Sequence, residues 1–273
     1  MNERPATLAT TLIGRADAAN RLYVLHGIYG RGRNWGAIAR HLAARRDDWA
    51  SLLIDLRLHG DSPAFAAPHT VDAAAGDVLD LERHGHAAPR AILGHSFGGK
   101  VALSFAARSD VRPLQVWVID STPEARPPDG NAWRMLQLLR ELPQAFASRQ
   151  EAIDGMQALG VSAAVAAWMA TNLASDGGTY RWRIDLDAME AMLRDFFRVD
   201  LWDVVQAPAT GIEIVFVKAT DSTTLSEDAC TRIEAAGRAT GRVRLVRVAG
   251  GHWLNTDNPE AVLSLIARRL PRR

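Results

Sequence analysis

Short apolar runs rich in β-branched residues recur along the chain at residues 21–26, 51–56, 90–94, 114–120, 212–218 and 243–249. Each has the length of a strand and enough apolar character to be buried on both faces. Between the early runs the apolar positions change to helical spacing. Trp35, Ile38 and Leu42 fall on one face, Val78, Leu79 and Leu81 close a segment that opens after Thr70, and Val101, Ala102, Phe105 and Ala106 follow Ser96. Strands and helices alternating in this way predict a mostly parallel central sheet flanked by helices, the α/β class.

The alternation stops after Asp120. Residues 121–130 are rich in Pro and polar side chains, and no convincing buried strand follows until Ala207-Pro208 reopens the strand pattern. The stretch between reads as helical and holds Trp133, Trp168, Trp182 and Trp202 among many Met and Leu residues. We expect residues 1–122 and 207–273 to form one α/β core and residues 123–206 to be an inserted helical lid over the strand ends. The alternative is a set of ordinary crossover helices with aromatic packing.

Composition narrows the setting. Hydrophobic residues make up 48% of the 273 and charged residues 23%, ordinary globular usage that allows a large core. A net charge of +1, with basic residues spread among acids, offers no general field for a polyanion, so nucleic acid is not an expected partner. The single Cys230 rules out an intrachain disulfide and, with no Cys-His cluster, a thiolate metal site. The start, Met1-Asn2-Glu3-Arg4-Pro5, lacks a basic region followed by an apolar stretch, and no run of about eighteen apolar residues appears. A cytoplasmic protein without a membrane span is expected.

Candidate chemistry begins at Gly94-His95-Ser96-Phe97-Gly98, which follows the apolar run Ala91-Ile92-Leu93 and opens a helical pattern. A serine on a sharp strand-to-helix turn is exposed above the sheet, and the flanking glycines let the chain adopt the strained conformation this needs. A serine hydroxyl is a poor nucleophile at neutral pH without a neighbouring base, a task suited to His with its unperturbed pKa of about 6.5. Of the eight histidines, His252 in Ala249-Gly250-Gly251-His252-Trp253 lies just after the last strand pattern, where its loop can reach the strand ends. His95 is tied to the elbow backbone, His26 shapes the neighbouring loop, and His59 packs or caps near the site. His41, His69, His84 and His86 read as surface residues.

Acyl transfer builds negative charge on the former carbonyl oxygen, which preorganised backbone N–H groups stabilise. One donor is the residue after the nucleophile, Phe97. The other is expected from His26-Gly27-Ile28-Tyr29-Gly30 and is assigned to Ile28. The same Gly-rich stretch lacks the Gly-x-Gly-x-x-Gly order, and the chain has no Gly-x-x-x-x-Gly-Lys-Ser/Thr loop, so nucleotide cofactors are not supported.

A carboxylate should hold the second ring nitrogen of His252 and stabilise its protonated form. Asp221, past the penultimate strand pattern, gives the order Ser96, Asp221, His252 common for this chemistry. Asp120 ends the strand after the elbow and is the alternative. Both sit at the sheet edge that carries Ser96, since parallel strands point their carboxyl ends the same way. Asp221 is preferred because its position is the commoner one.

Several segments together resemble the α/β-hydrolase esterases of the YbfF and ABHD11 type. They are His26-Gly27-Ile28-Tyr29-Gly30, Asp55-Leu56-Arg57-Leu58-His59-Gly60-Asp61-Ser62 and Gly94-His95-Ser96-Phe97-Gly98-Gly99-Lys100. Thr171-Asn172-Leu173 and Tyr180-Arg181-Trp182-Arg183-Ile184-Asp185-Leu186 also look like that group, so the resemblance covers nearly the whole chain. It implies an α/β-hydrolase fold. Members resembling this chain often carry an Asp at the position of Asp120 and lack a clear one where Asp221 stands, which keeps Asp120 open as the acid.

The expected activity is that of a serine carboxylesterase or thioesterase acting on small to medium apolar acyl groups through an acyl-enzyme on Ser96. No metal or organic cofactor is implied. The same residues could serve acyl transfer, a lyase step or carbon-carbon bond hydrolysis, and a non-catalytic binding protein with this fold is a further rival. The oligomeric state is not readable from the sequence.

Overall fold

The computed structural model describes residues 6–112 and 114–272; the reading of residues 1–5 lies outside them. The chain begins with β1 (Thr10–Ile13), β2 (Asn20–Leu25), α1 (Gly36–Arg45), β3 (Trp49–Ile54), α2 (Val71–Arg83), β4 (Ala91–His95), α3 (Phe97–Arg108) and β5 (Leu114–Ile119). It continues through α4 (Gly130–Glu141), β6 (Ala145–Phe146), α5 (Arg149–Ala158), α6 (Ala163–Met169), β7 (Leu173–Asp176), β8 (Thr179–Trp182), α7 (Leu186–Arg198) and α8 (Trp202–Gln206). It closes with β9 (Ile212–Ala219), α9 (Glu227–Thr240), β10 (Val243–Val248), α10 (Leu254–Asp257) and α11 (Pro259–Arg269).

Among the described residues seven strands form one sheet in the order β1-β3-β2-β4-β5-β9-β10, and of these only β1 runs antiparallel to its neighbour. The expected α/β class with a mostly parallel sheet is the fold found. Side chains alternate across each strand and feed two apolar layers. Leu22, Val24, Leu93, Trp117 and Ile119 pack with α1 and α11 on one face, while Tyr23, Leu25, Ile92, Val116 and Val118 pack with α2 and α3 on the other. Burying each such side chain contributes roughly 1.5–3 kcal/mol before the cost of ordering.

Helix α2 shows how local chemistry sets an element. Thr70 caps it by accepting the Ala73 N–H, Asp72 sits in the first turn, and Val71, Ala74, Ala75, Val78 and Leu81 are buried, the spacing of one helical face. Strand β10 differs from expectation. It is an edge strand with Arg244 and Arg247 exposed, charged positions that blunt an unpaired edge.

Between β5 and β9, residues 123–206 contain helices and also a three-stranded antiparallel sheet in the order β6-β8-β7, which the helical reading of this stretch did not contain. These strands have two to four residues and are half-exposed, so they carry no continuous apolar run. Gly177 and Gly178, with φ of 56° and 91°, make the tight β7–β8 turn.

Lys100, almost wholly buried, ties both stems of this segment to α3. Its Nζ donates to the carbonyls of Glu124, Phe196 and Val199 at 2.6, 2.7 and 2.7 Å. Burial, with Arg126 nearby, pulls its pKa down to about 8 despite Asp200, Asp195 and Glu124. The Asp195 carboxylate accepts the Val71 N–H at 2.8 Å, joining α7 to the start of α2.

Candidate active site

Ser96 stands between β4 and α3 with φ 53° and ψ −116°, a backbone that an L residue adopts only at a cost of about 1–3 kcal/mol. Two glycines make the turn possible. A Cβ on Gly94 would lie 1.9 Å from the Gly98 carbonyl oxygen, and one on Gly98 would lie 2.6 Å from that of His26. The Ser96 N–H donates to the Ile119 carbonyl at 3.0 Å, so the elbow is fastened to the last residue of β5. Ser96 Oγ makes no hydrogen bond among the described residues; such contacts often tighten only when substrate binds.

The next residue of β5's chain is Asp120, fully buried. It has φ 41° and donates its N–H to the Val217 carbonyl at 2.7 Å. One carboxylate oxygen accepts the Ala219 N–H at 3.1 Å, and the other meets His252 Nδ1 at 2.6 Å. Burial alone would raise the Asp120 carboxyl, but hydrogen bonds from His252 and Ser222, the His252 charge and the Ala219 N–H outweigh it and hold it below the usual carboxylate range. With Nδ1–H directed at Asp120, Nε2 of His252 is left as the ring's proton acceptor.

Asp221 does not take this place, which corrects the preference drawn from the sequence. It is exposed, accepts the Thr220 hydroxyl at 2.9 Å and donates its N–H to the Gly250 carbonyl at 3.0 Å. The reason is strand order. β5 lies beside β4, whereas β9 lies one strand further away, and Asp221 comes two residues after β9 has ended.

The β9 loop does touch His252, through residues that the sequence reading missed. Thr224 Oγ1 lies 3.2 Å from His252 Nδ1, and Ser222 Oγ lies 3.1 Å from Thr224 Oγ1. Their only sequence signal is a run of hydroxyl residues, Ser222-Thr223-Thr224.

Beneath His252 lies His95, with ring centroids 4.8 Å apart and its Nε2 donating to the His252 carbonyl at 2.8 Å. Burial and the His252 charge push its pKa down to about 3, so it serves as a neutral support.

Opposite lies the loop after β2. The Gly30 N–H donates to the Gly27 carbonyl at 3.0 Å, and Tyr29 takes φ 60°, which makes a tight turn with Ile28 at its crest. His59 Nε2 accepts the Tyr29 N–H at 3.0 Å while its Nδ1–H donates to the Arg57 carbonyl. His26 Nε2 accepts the Leu56 N–H at 3.0 Å while its Nδ1–H donates to the Gly27 carbonyl. Burial pushes these imidazoles down to about 3 and about 4, keeping both neutral. From the inserted segment, Asn172 Nδ2 donates to the Tyr29 carbonyl at 2.9 Å.

Neither the Ile28 N–H nor the Phe97 N–H has an acceptor among the described residues. Their loops touch, since a Cβ on Gly27 would lie 3.3 Å from Ser96 Cβ. The structure thus brings Ser96, His252, Asp120, Ile28 and Phe97 to one end of the sheet and leaves Asp221 outside. Trp168 of the inserted segment reaches the same end, its ring 5.2 Å from that of Trp253. Among the described residues no group of three or more His, Cys, Asp or Glu is placed to hold a metal ion, and no helix is long and apolar enough to cross a membrane.

Residues 22–265 match the model of the family described as the alpha/beta hydrolase family. The chain belongs to the alpha/beta hydrolase family. As an alpha/beta hydrolase it is similar to the sn-1-specific diacylglycerol lipase ABHD11 of Danio rerio, at 27% identity over 93% of this chain and 78% of that one. It is also similar to lipase LipV of Mycobacterium tuberculosis, at 29% identity over 92% and 93% of the two chains. Among solved structures, a marine microorganism esterase superposes with a TM-score of 0.81 at 25% identity, covering 96% of this chain and 99% of that one. The likeness to the ABHD11 group expected from the sequence motifs is found.

Proposed function

We propose that this alpha/beta hydrolase is a serine esterase that works through an acyl-enzyme on Ser96, with His252 as base, Asp120 as the acid behind it and the Ile28 and Phe97 N–H groups as the oxyanion hole. The observation that carries the reading is the 2.6 Å contact between His252 Nδ1 and the buried Asp120 carboxylate, one residue beyond the carbonyl that holds Ser96. The lipase and esterase names of its relatives support the ester bond as the target.

In this mechanism Ser96 Oγ attacks the ester carbonyl carbon while its proton passes to His252 Nε2. The oxyanion is held by the two N–H groups, and Asp120 stabilises the imidazolium. Collapse breaks the ester C–O bond, and His252 gives its proton to the departing alcohol. Water then attacks the acyl carbon, its proton passes to His252, and collapse returns that proton to Ser96 as the acid leaves. We assign the inserted segment 123–206 the role of a lid whose Trp168 faces the acyl site. The substrates proposed are small to medium acyl esters or thioesters.

The test is hydrolysis of an acyl-length panel by the wild type and Ser96→Ala. Loss of about four to six orders of magnitude in kcat is expected. Turnover that persists in Ser96→Ala overturns the reading.

A further inference from the structure

Arg31 follows the Gly27–Gly30 turn and is only 7% exposed, yet no carboxylate pairs with it among the described residues. Its buried Nε has no acceptor, and its side chain makes a single long hydrogen bond, Nη2 to the Thr171 carbonyl at 3.3 Å. The nearby acids are already engaged. Asp55 accepts the Gly32 and Asp61 N–H groups at 2.6 and 2.9 Å, and Asp61 is paired with Arg183 at 2.8 Å.

A buried guanidinium N–H without an acceptor, as at Nε, is unfavourable unless an acceptor comes from elsewhere. Burial and the neighbouring Arg33 pull its pKa below the ordinary arginine value, even with Asp55 and Asp61 close by. The two carboxylates act at a distance only, since neither pairs with the guanidinium.

Arg31 is linked to the candidate active site through its own loop and through Thr171. Two residues earlier, Tyr29 is pinned by His59 and Asn172. Thr171 precedes Asn172, and its hydroxyl donates to the Trp168 carbonyl at 2.7 Å. The Trp168 ring packs on Trp253, the neighbour of His252. Asn255 Nδ2 closes the ring by donating to the Asn34 carbonyl at 3.1 Å. Arg31 is thus enclosed between the loop that carries Ile28 and the part of the inserted segment that approaches His252.

We propose that Arg31 is a substrate-binding residue, and that the esters this site prefers carry a free carboxylate which the Arg31 guanidinium receives. The proposal rests on the serine-esterase reading. A carboxylate matches the planar fork of arginine and supplies the acceptor that the buried Nε lacks.

The experiment compares kcat/KM for two pairs of esters that differ by a carboxylate. On the acyl side these are para-nitrophenyl hemisuccinate and para-nitrophenyl butyrate; on the alcohol side, para-carboxyphenyl acetate and phenyl acetate. In the wild type the charged member of one pair is expected to be favoured by about tenfold to hundredfold, the range of one charge-assisted interaction. The pair that shows it tells which side of the scissile bond faces Arg31. In Arg31→Leu that ratio should fall to about one, and in Arg31→Lys, which keeps charge but loses the fork, it should be intermediate.

Succinate binding measured by calorimetry gives a readout independent of turnover, and its wild-type arm needs no variant. The wild type is expected to bind succinate, and Arg31→Leu to bind it at least about tenfold more weakly. Equal rates within both pairs in the wild type, an unchanged ratio in Arg31→Leu, or no succinate binding by the wild type overturns the proposal. Ser96-dependent hydrolysis of the neutral esters without charge discrimination sinks the Arg31 assignment alone. Turnover independent of Ser96 sinks the esterase reading instead.

Discussion

At their carboxyl ends β5 and β9, neighbours in the sheet, each deliver an aspartate, and the two meet opposite fates. Asp120 leaves β5 with a left-handed φ of 41°, which turns its carboxylate onto the Ala219 N–H and His252. Asp221 leaves β9 two residues late and stands in solvent beside Thr220. A carboxylate sheltered from water interacts far more strongly with an imidazolium than an exposed one does. The difference teaches that position along a strand matters less than which strand lies beside the one that carries Ser96. β9 still contributes, but through the hydroxyls of Ser222 and Thr224.

The largest effect that would separate the two ends is on turnover. Asp120→Asn is expected to lower kcat by about four orders of magnitude, because the amide cannot hold the productive tautomer of His252. Asp221→Asn should stay within about twofold of wild type. Steady-state kinetics of the two purified variants decides it, and a comparable loss in both would erase the contrast.

Stability against pH sharpens the same comparison at a smaller scale. Asp120 has a depressed carboxyl in the folded state, so its contribution is present above the unfolded value of about 3.9 and is lost as pH falls through the folded one. His26, His59 and His95 are kept neutral down to about 4, 3 and 3. The unfolded chain takes up their protons below about 6.5, so each lowers stability by up to ~1.4 kcal/mol per pH unit on the way down. Urea unfolding between pH 7 and 3 should therefore show a decline beginning near 6.5 that Asp120→Asn retains. Below about pH 4 that variant should show a shallower slope than wild type or Asp221→Asn.

The smallest expected effect belongs to the β9 hydroxyls. Thr224→Val removes a contact to His252 Nδ1 while keeping the shape of the side chain, and kcat should fall about three- to tenfold, the worth of one net hydrogen bond. An unchanged kcat would confine the β9 end to packing.

Legibility varied with the kind of signal each region carries. The six principal strands announce themselves as continuous apolar runs, because both faces of a central parallel sheet are covered. The exception is β10, whose Arg244 and Arg247 mark an edge that a count of apolar residues passes over. Strand β1 is four residues long and mostly unburied, too short to register. In the inserted segment, β7 and β8 carry no buried run, although Asp176-Gly177-Gly178-Thr179 has the composition of a hairpin turn. Four of the five methionines of this segment, Met156, Met169, Met189 and Met192, are completely buried and pack in the apolar cluster, so they mark packing of the segment. Trp168 is instead found against Trp253, the residue next to His252.

The sequence by itself determined the α/β class, the sharp turn at Ser96 and the approach of the Gly27–Gly30 loop, because these rest on local chemistry: apolar runs, glycines where a Cβ would collide, and a serine between strand and helix. The partner of His252 was decided only by the tertiary structure. Asp120 and Asp221 have equivalent local contexts, each an aspartate at or just past a strand end, and they differ only in which strand lies next to β4 and whether the surrounding chain closes over the carboxylate. Strand order and burial are properties of the assembled sheet, and no window of sequence around either residue contains them.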